Sequence, residues 1–315
     1  MSLDLSLIIP VYNERDNLEK LLAELQSALQ PTGWTHEIIL VDDASTDGST
    51  ELLKTLQNRY PALRLLRLMR HSGQTPALAA GFDAARGEVI VTMDADLQND
   101  PRDIPLLVNT LQSGYDVVSG WRKDRKDSWL RCFISRMANR ILRRATEVDL
   151  HDFGCSLKAY RRSVLQGIVP YGEMHRILPA YLAALGSRIS EKEVRHRPRL
   201  SGKSKYGFGR TLKVPFDILA VSFLLRYSRT PMRALGGLGL LGLTGAALIT
   251  LYVTVRALFW GGIWVSPLLF VSTILALFGL QCIALGMFAE MLLWMQATDP
   301  KNRTYSAEEL KHASN

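Results

Sequence analysis

Two aspartates one residue apart, Asp94 and Asp96, follow the run Glu88-Val89-Ile90-Val91-Thr92-Met93. An isolated Asp-x-Asp is weak evidence, because carboxylates often merely cap helices or face water. Here the pair ends a strand-like segment, at the edge where open α/β sheets present their ligands. Two carboxylates, with the amide oxygen of Gln98 in an extended turn, can reach one hard divalent cation whose shell diphosphate oxygens complete. Such an ion would offset charge building on a departing nucleotide diphosphate. Two earlier strand ends carry similar polar clusters, Pro10-Val11-Tyr12-Asn13-Glu14 and Val41-Asp42-Asp43-Ala44-Ser45-Thr46-Asp47-Gly48-Ser49. Asp47 is expected to N-cap the helix that follows. Asp42, right at its strand end, is placed to accept from a nucleotide base or ribose. Tyr12 either stacks on a base or packs locally; residue type alone leaves both open.

The elements that must position these groups alternate. Leu5 to Val11 reads as a buried strand, and Asn17 to Leu29 repeats leucines at helical spacing. Strands are expected over 37–41, 63–68 and 88–93, with helices over 48–60 and 75–85. Strands alternating with helices imply an α/β fold with a mostly parallel sheet. A basic helix is expected over 130–144, and a second basic stretch runs from Arg195 to Tyr206.

The chain has 315 residues, 47% of them hydrophobic, and that share is unevenly placed. Ala234 to Val255 and Pro267 to Ala289 are long apolar runs, each able to cross a hydrocarbon core of ~30 Å as a helix. Arg226, Arg229 and Arg233 precede the pair and Lys301 and Arg303 follow it, while the connector holds only Arg256. The positive-inside rule then puts both ends in the cytoplasm. Met1 to Pro10 is too short for a secretory signal and contains Asp4. A mostly apolar helix over about 211–227 is suited to the membrane interface. Three cysteines without metal-ligand spacing fit a reducing compartment. The net charge of +8, beside such a hairpin, points to lipid headgroups and phosphates rather than nucleic acid. The stripe Gly236, Gly239, Gly242 and Gly245 lets a neighbouring helix approach and makes self-association into a homo-oligomer an expectation. Gly202-Lys203-Ser204 is no P-loop, since Arg197 stands where its first glycine belongs.

The three strand-end clusters occur in the order seen in family-2, A-type inverting glycosyltransferases. His71-Ser72-Gly73-Gln74 with Ala80-Gly81, and then Gln98-Asn99-Asp100-Pro101, resemble the dolichol-phosphate mannose synthase branch. His151-Asp152-Phe153-Gly154-Cys155-Ser156-Leu157-Lys158-Ala159-Tyr160-Arg161 is similar to bacterial undecaprenyl-phosphate aminoarabinose and glucosyl transferases. Gly202-Lys203-Ser204-Lys205-Tyr206 ahead of a two-span hairpin matches them too, so the resemblance covers nearly the whole chain.

The resemblance implies an A-type, Rossmann-like catalytic domain over 1–208, interfacial helices over 209–232, a hairpin over 233–292 and a tail over 293–315. The chain would sit in the bacterial inner membrane with its catalytic domain cytoplasmic. It would move a sugar from a nucleotide sugar, UDP-linked by family analogy, to polyprenyl phosphate. Pro10, Tyr12, Glu14 and Asp42 would hold the nucleoside, and Asp94, Asp96 and Gln98 would bind Mg²⁺ or Mn²⁺ with the diphosphate. Arg122, Arg131 and Ser135 sit where related enzymes grip the acceptor phosphate. Lys203 and Lys205 match a basic loop that closes over phosphates. Trp121 departs from the small residue that commonly precedes Arg122. Asp152 occupies a position proposed as a base in some relatives; a lipid phosphate is already anionic at neutral pH, so Asp152 either takes a proton or orients a cation. The segment Gly172 to Arg176 either reads the sugar, orders the acceptor or simply starts a helix. The rival readings are a non-catalytic nucleotide-sugar-binding membrane partner and a processive polysaccharide synthase. The synthase would need more spans and a Gln-x-x-Arg-Trp motif.

Overall fold

The computed structural model describes residues 3–123, 139–198 apart from 141, 144, 145, 147, 169, 171 and 173, then 230–260 and 267–298. It divides into two compact units, Met1–Leu225 and Arg226–Asn315. The helix expected over 211–227, the residues 209–229 ahead of the hairpin, and the tail beyond 298 lie outside the described residues.

The first unit is built on a seven-stranded sheet: β1 (Leu5–Val11), β2 (His36–Asp42), β3 (Leu63–Arg67), β4 (Val89–Thr92), β5 (Val117–Trp121), β6 (Lys158–Arg161) and β7 (Ile189–Glu193). In space the order is β3-β2-β1-β4-β6-β5-β7. β1 pairs in parallel with both β2 and β4, and β6 runs antiparallel to β4 and β5. The connecting helices are α1 (Arg15–Leu29), α2 (Ser49–Gln57), α3 (Gln74–Ala84), α4 (Ile104–Gln112), the short α5 (Arg162–Leu165) and α6 (Met174–Ala184).

Helices cover both faces, so the central strands are apolar on both. On β1, Leu5, Leu7, Ile9 and Val11 join the leucines of α1 and α4, whereas Ile8 on the other face joins Ala77 and Leu78 of α3 and Leu178 of α6. This two-sided burial is why β1, β2 and β4 read as continuous apolar runs rather than alternating ones. The chain winds outward from β1 in both directions, which makes the gap between β1 and β4 the switch point where such sheets bind ligands. The β1–β4 ladder ends at Ile8 and Thr92. Pro10, which has no backbone donor, lies past that end, where the strands can part.

In the second unit α7 (Pro231–Trp260) and α8 (Pro267–Thr298) pack against each other in antiparallel sense. Both are long and apolar enough to cross a membrane. Many of their apolar side chains are exposed, Leu241 to 71% and Phe270 to 73%, unlike those of a soluble core helix. The glycine stripe does most of its work inside this hairpin. A Cβ at Gly239 would lie 2.7 Å from the carbonyl oxygen of Gly279, and one at Gly242 would lie 3.1 Å from that of Leu275. Those positions are taken by the partner helix of the same chain, so the stripe is not a face left for a second copy. Ser272 reinforces the contact by donating to the Ala246 carbonyl at 2.9 Å.

Gly81 lets α3 lie directly on β1: a Cβ there would sit 2.3 Å from Ile8 Cγ2. Gly81→Val is therefore expected to lower stability by about 1–3 kcal/mol through overpacking, read as a shift in the denaturation midpoint.

Candidate active site

The loops after β1, β2 and β4 form one rim. Asn13, Ala44 and Leu97 have φ of 53°, 56° and 62°, and they are the non-glycine positive-φ residues among the described residues. Each belongs to one of the three strand-end clusters. A left-handed L-residue costs roughly 1–2 kcal/mol, so strain gathers where three loops must turn back together. The loops brace each other: Asn13 N–H donates to Ser45 Oγ at 3.0 Å, and Thr46 N–H to Asn13 Oδ1 at 2.7 Å. Asp47 accepts from Ser49 N–H at 3.0 Å and Arg15 N–H at 3.1 Å. It thus serves the first turns of both α2 and α1, although α2 starts a residue later than expected and the formal cap is Gly48.

The two adjacent aspartates at the end of β2 hold different partners. Asp42 is fully buried, and its carboxylate accepts from Ser45 N–H at 3.0 Å and from Thr50 Oγ. These bonds brace its own turn. Asp43 instead accepts from the Ser72 and Gly73 amides at 2.7 and 2.8 Å and pairs with His71 Nδ1 at 2.8 Å. The His71 ring stacks on Tyr12 with centroids 3.9 Å apart, so one face of Tyr12 is already covered. Glu14 accepts from the Asn17 amide at 2.6 Å in the first turn of α1.

Asp94 and Asp96 leave the end of β4 together. The Asp94 carboxylate accepts from Gln74 Nε2 at 2.7 Å, and Asp96 accepts from Gln98 N–H at 3.1 Å. Burial first, and the Asp96 charge second, push Asp94 up to about 6. Among the described residues no three His, Cys, Asp or Glu side chains gather as a metal-holding group. The donor set is this carboxylate pair with Gln98 nearby, and the rest of a cation's shell would have to come from a ligand. The raised pKa reflects burial of this carboxyl and then the neighbouring Asp96 charge, and a bound divalent cation would offset both.

Across the site, Asp152 meets Arg122, which follows β5. Nε donates to Oδ2 at 2.7 Å and Nη2 to Oδ1 at 3.0 Å, a bidentate fork with both partners largely buried. Glu191 of β7 holds the Asp152 backbone at 3.0 Å. Gly120 allows this approach, since a Cβ there would lie 2.8 Å from Leu157 O. Burial works against charge on Arg122, but the facing Asp152 carboxylate outweighs it and holds the proton on.

Lys158 was not among the expected site residues. It is 3% exposed, and its ammonium donates to the carbonyls of Phe153, His175 and Arg176 at 3.1, 3.2 and 3.2 Å. Burial pushes it down to about 8. In the sequence Lys158 stands out only as part of the His151 to Arg161 motif. Gln74 likewise belongs to the His71 to Gln74 motif without an assigned role, and Thr75 reads as the start of a helix. Arg131, Ser135, Lys203 and Lys205 lie outside the described residues.

Two outcomes follow from this geometry. Asp152→Ala is expected to destabilise the protein by about 3–5 kcal/mol by leaving Arg122 buried and unpaired, and Arg122→Met with Asp152→Leu should cost less than either truncation. Because cation binding must displace the proton from Asp94, Mn²⁺ affinity measured calorimetrically with UDP should be full above pH 6 and fall about tenfold per unit below it.

Residues 6–169 match the glycosyl transferase family 2. The chain is 42% identical to the dodecaprenyl-phosphate galacturonate synthase of Rhizobium johnstonii, over 98% of this chain and 93% of that one. It is 38% identical to the undecaprenyl-phosphate 4-deoxy-4-formamido-L-arabinose transferase of Pseudomonas paraeruginosa, over 91% and 84%. Among solved structures it resembles glucosyl-3-phosphoglycerate synthase from Mycobacterium tuberculosis in complex with Mn²⁺ and UDP-glucose. The TM-score is 0.53 at 16% identity, covering 71% of this chain and 79% of that one, a likeness of A-type fold alone. The strand-end rim, the mostly parallel sheet and relatives matched along almost their whole length agree: the chain is a member of glycosyl transferase family 2.

Proposed function

We propose that this enzyme transfers a sugar from a nucleotide sugar, UDP-linked, to a polyprenyl phosphate at the cytoplasmic face of a bacterial inner membrane. The observation that carries the reading is a likeness to polyprenyl-phosphate transferases that extends over 98% of the chain, apolar hairpin included. Two membrane-length helices suit an enzyme whose acceptor is a lipid. An enzyme acting on a soluble acceptor has no need of them.

Pro10, Tyr12, Glu14 and Asp42 would hold the nucleoside. Asp94, Asp96 and Gln98 would hold Mg²⁺ or Mn²⁺, which when bound neutralises charge on the leaving diphosphate. Arg122 presents the remaining edge of its guanidinium to the acceptor phosphate, and the resemblance adds Arg131, Ser135, Lys203 and Lys205. The lipid phosphate is largely ionised at neutral pH and attacks the anomeric carbon from the side opposite the diphosphate, inverting it. Catalysis then rests on positioning and charge, which is what the Asp152–Arg122 fork provides. The Arg122 fork across both of its carboxylate oxygens supports an orienting role for Asp152 over that of a base.

UDP release from nucleotide sugars, followed in detergent with Mn²⁺, is expected to require both undecaprenyl phosphate and Asp96, with Asp96→Asn reduced at least about a hundredfold. Lipid-independent release would contradict the assignment of acceptor. Asp152→Asn should lose about a hundredfold in turnover through misplacement of Arg122 while keeping the wild-type pH profile. A base would instead take the acidic limb of the profile with it.

A further inference from the structure

Lys158 is a buried cation whose ammonium makes no ion pair among the described residues. Its three hydrogens instead meet three carbonyls, Phe153 at 3.1 Å and His175 and Arg176 at 3.2 Å each. Taking such a charge out of water is costly, and a well-packed apolar side chain in its place is often neutral or stabilising. Stability alone is therefore a weak reason for a lysine here. What an apolar residue cannot do is bond carbonyls of two separate segments at one point.

One of those carbonyls is prepared by the sequence. In an α-helix the His175 carbonyl would accept from the backbone N–H four residues on, and that residue is Pro179, inside α6. Proline has no such hydrogen, so the carbonyl loses its helical donor and Lys158 supplies one. The neighbouring bonds reach both sides of the site. Phe153 follows Asp152, whose carboxylate holds Arg122, and it shares a buried cluster with Ile177 and Ala180 of α6. In the other direction Thr75 Oγ1 lies 2.6 Å from His175 Nδ1, and Gln74 beside it donates to Asp94.

We infer that Lys158 and Pro179 form a matched pair, and that Lys158 is a positioning residue for the transfer. By pinning the Phe153 carbonyl to the proline-freed carbonyl of α6, its ammonium fixes the Asp152–Arg122 fork relative to Asp94 and Asp96. Lys158 acts through Asp152 and Arg122 and not on the reacting atoms. The inference rests on the transferase reading for what the fork acts on.

The experiment is a double-mutant cycle in the full-length protein, with Lys158→Met, Pro179→Ala and both together, beside Lys158→Arg. Denaturation midpoints are measured for each, and so are steady-state kinetics with nucleotide sugar, Mn²⁺ and undecaprenyl phosphate. Pro179→Ala returns the N–H that the His175 carbonyl lacks, so the double variant should be more stable than Lys158→Met alone. Its turnover should stay low, because the Phe153 carbonyl is still unheld. In both variants kcat is expected to fall at least about tenfold, with KM for the nucleotide sugar within about twofold. Lys158→Arg, which keeps donors for both segments, should recover part of kcat. Turnover that returns with stability in the double variant overturns the positioning role and makes Lys158 a folding residue. Midpoint shifts that simply add overturn the pairing with Pro179. If Lys158→Met alone does not fold, the double variant and Lys158→Arg carry the same kinetic comparison, and a double variant that also fails to fold overturns the pairing. Wild type without lipid-dependent turnover removes the transferase reading, and the pair is then judged by the midpoints of the cycle.

Discussion

Two carboxylates held side by side at the end of a buried strand repel each other, and much of the catalytic unit is arranged around tolerating that repulsion. Asp94 and Asp96 emerge from β4, which has β1 on one side and the antiparallel β6 on the other. From the first direction come Gln74 and the braced loops after β1 and β2; from the second come Lys158, Ser156 and the loop carrying Asp152. Burial and the Asp96 charge together raise the Asp94 pKa. In the proposed function a cation and a diphosphate would convert that liability into binding, which would match the site to ligands that arrive together.

The sheet's antiparallel strand is what brings the acceptor side within reach. β6 places Lys158 opposite Thr92 in the register, and Thr92 Oγ donates to the Ser156 carbonyl at 2.8 Å. One buried ammonium then joins the Asp152 loop to the start of α6 through carbonyls of both. The loops carrying Gln74 and Thr75 and the loop carrying Asp152 are therefore linked through the start of α6 and not merely neighbours. Partly satisfied, such a link would be costly; with its ammonium shared among carbonyls it rigidifies the geometry that in-line transfer requires.

Much of this was legible in the sequence, for identifiable reasons. Asp94 and Asp96 stood out because an apolar strand ran straight into them, and β1, β2 and β4 were recognisable because burial on both faces leaves runs without alternation. The separate partners of Asp42 and Asp43 were not legible. Both carboxylates are buried, and what each meets depends on the left-handed Ala44 and on amides of Ser72 and Gly73 that arrive from a distant loop. Ala44 and Leu97 gave no glycine or asparagine signal for their backbone conformation. The Arg122–Asp152 fork joins β5 to a loop far along the chain, and only the sheet order shows that they meet. The burial of Lys158 follows from β6 running inside the sheet between β4 and β5, which its motif alone does not reveal. The glycine stripe was read correctly as a close helix contact, but the sequence could not say that α8 of the same chain fills it.

The central claim is a single sugar transfer to a lipid phosphate, and the product lipid tests it most directly. After incubation with one turned-over nucleotide sugar and undecaprenyl phosphate, the extracted lipid would be examined by mass spectrometry. The account predicts one new species, heavier than the acceptor by one sugar residue. Free sugar with unmodified lipid, or a ladder of several sugars on one lipid, would contradict it.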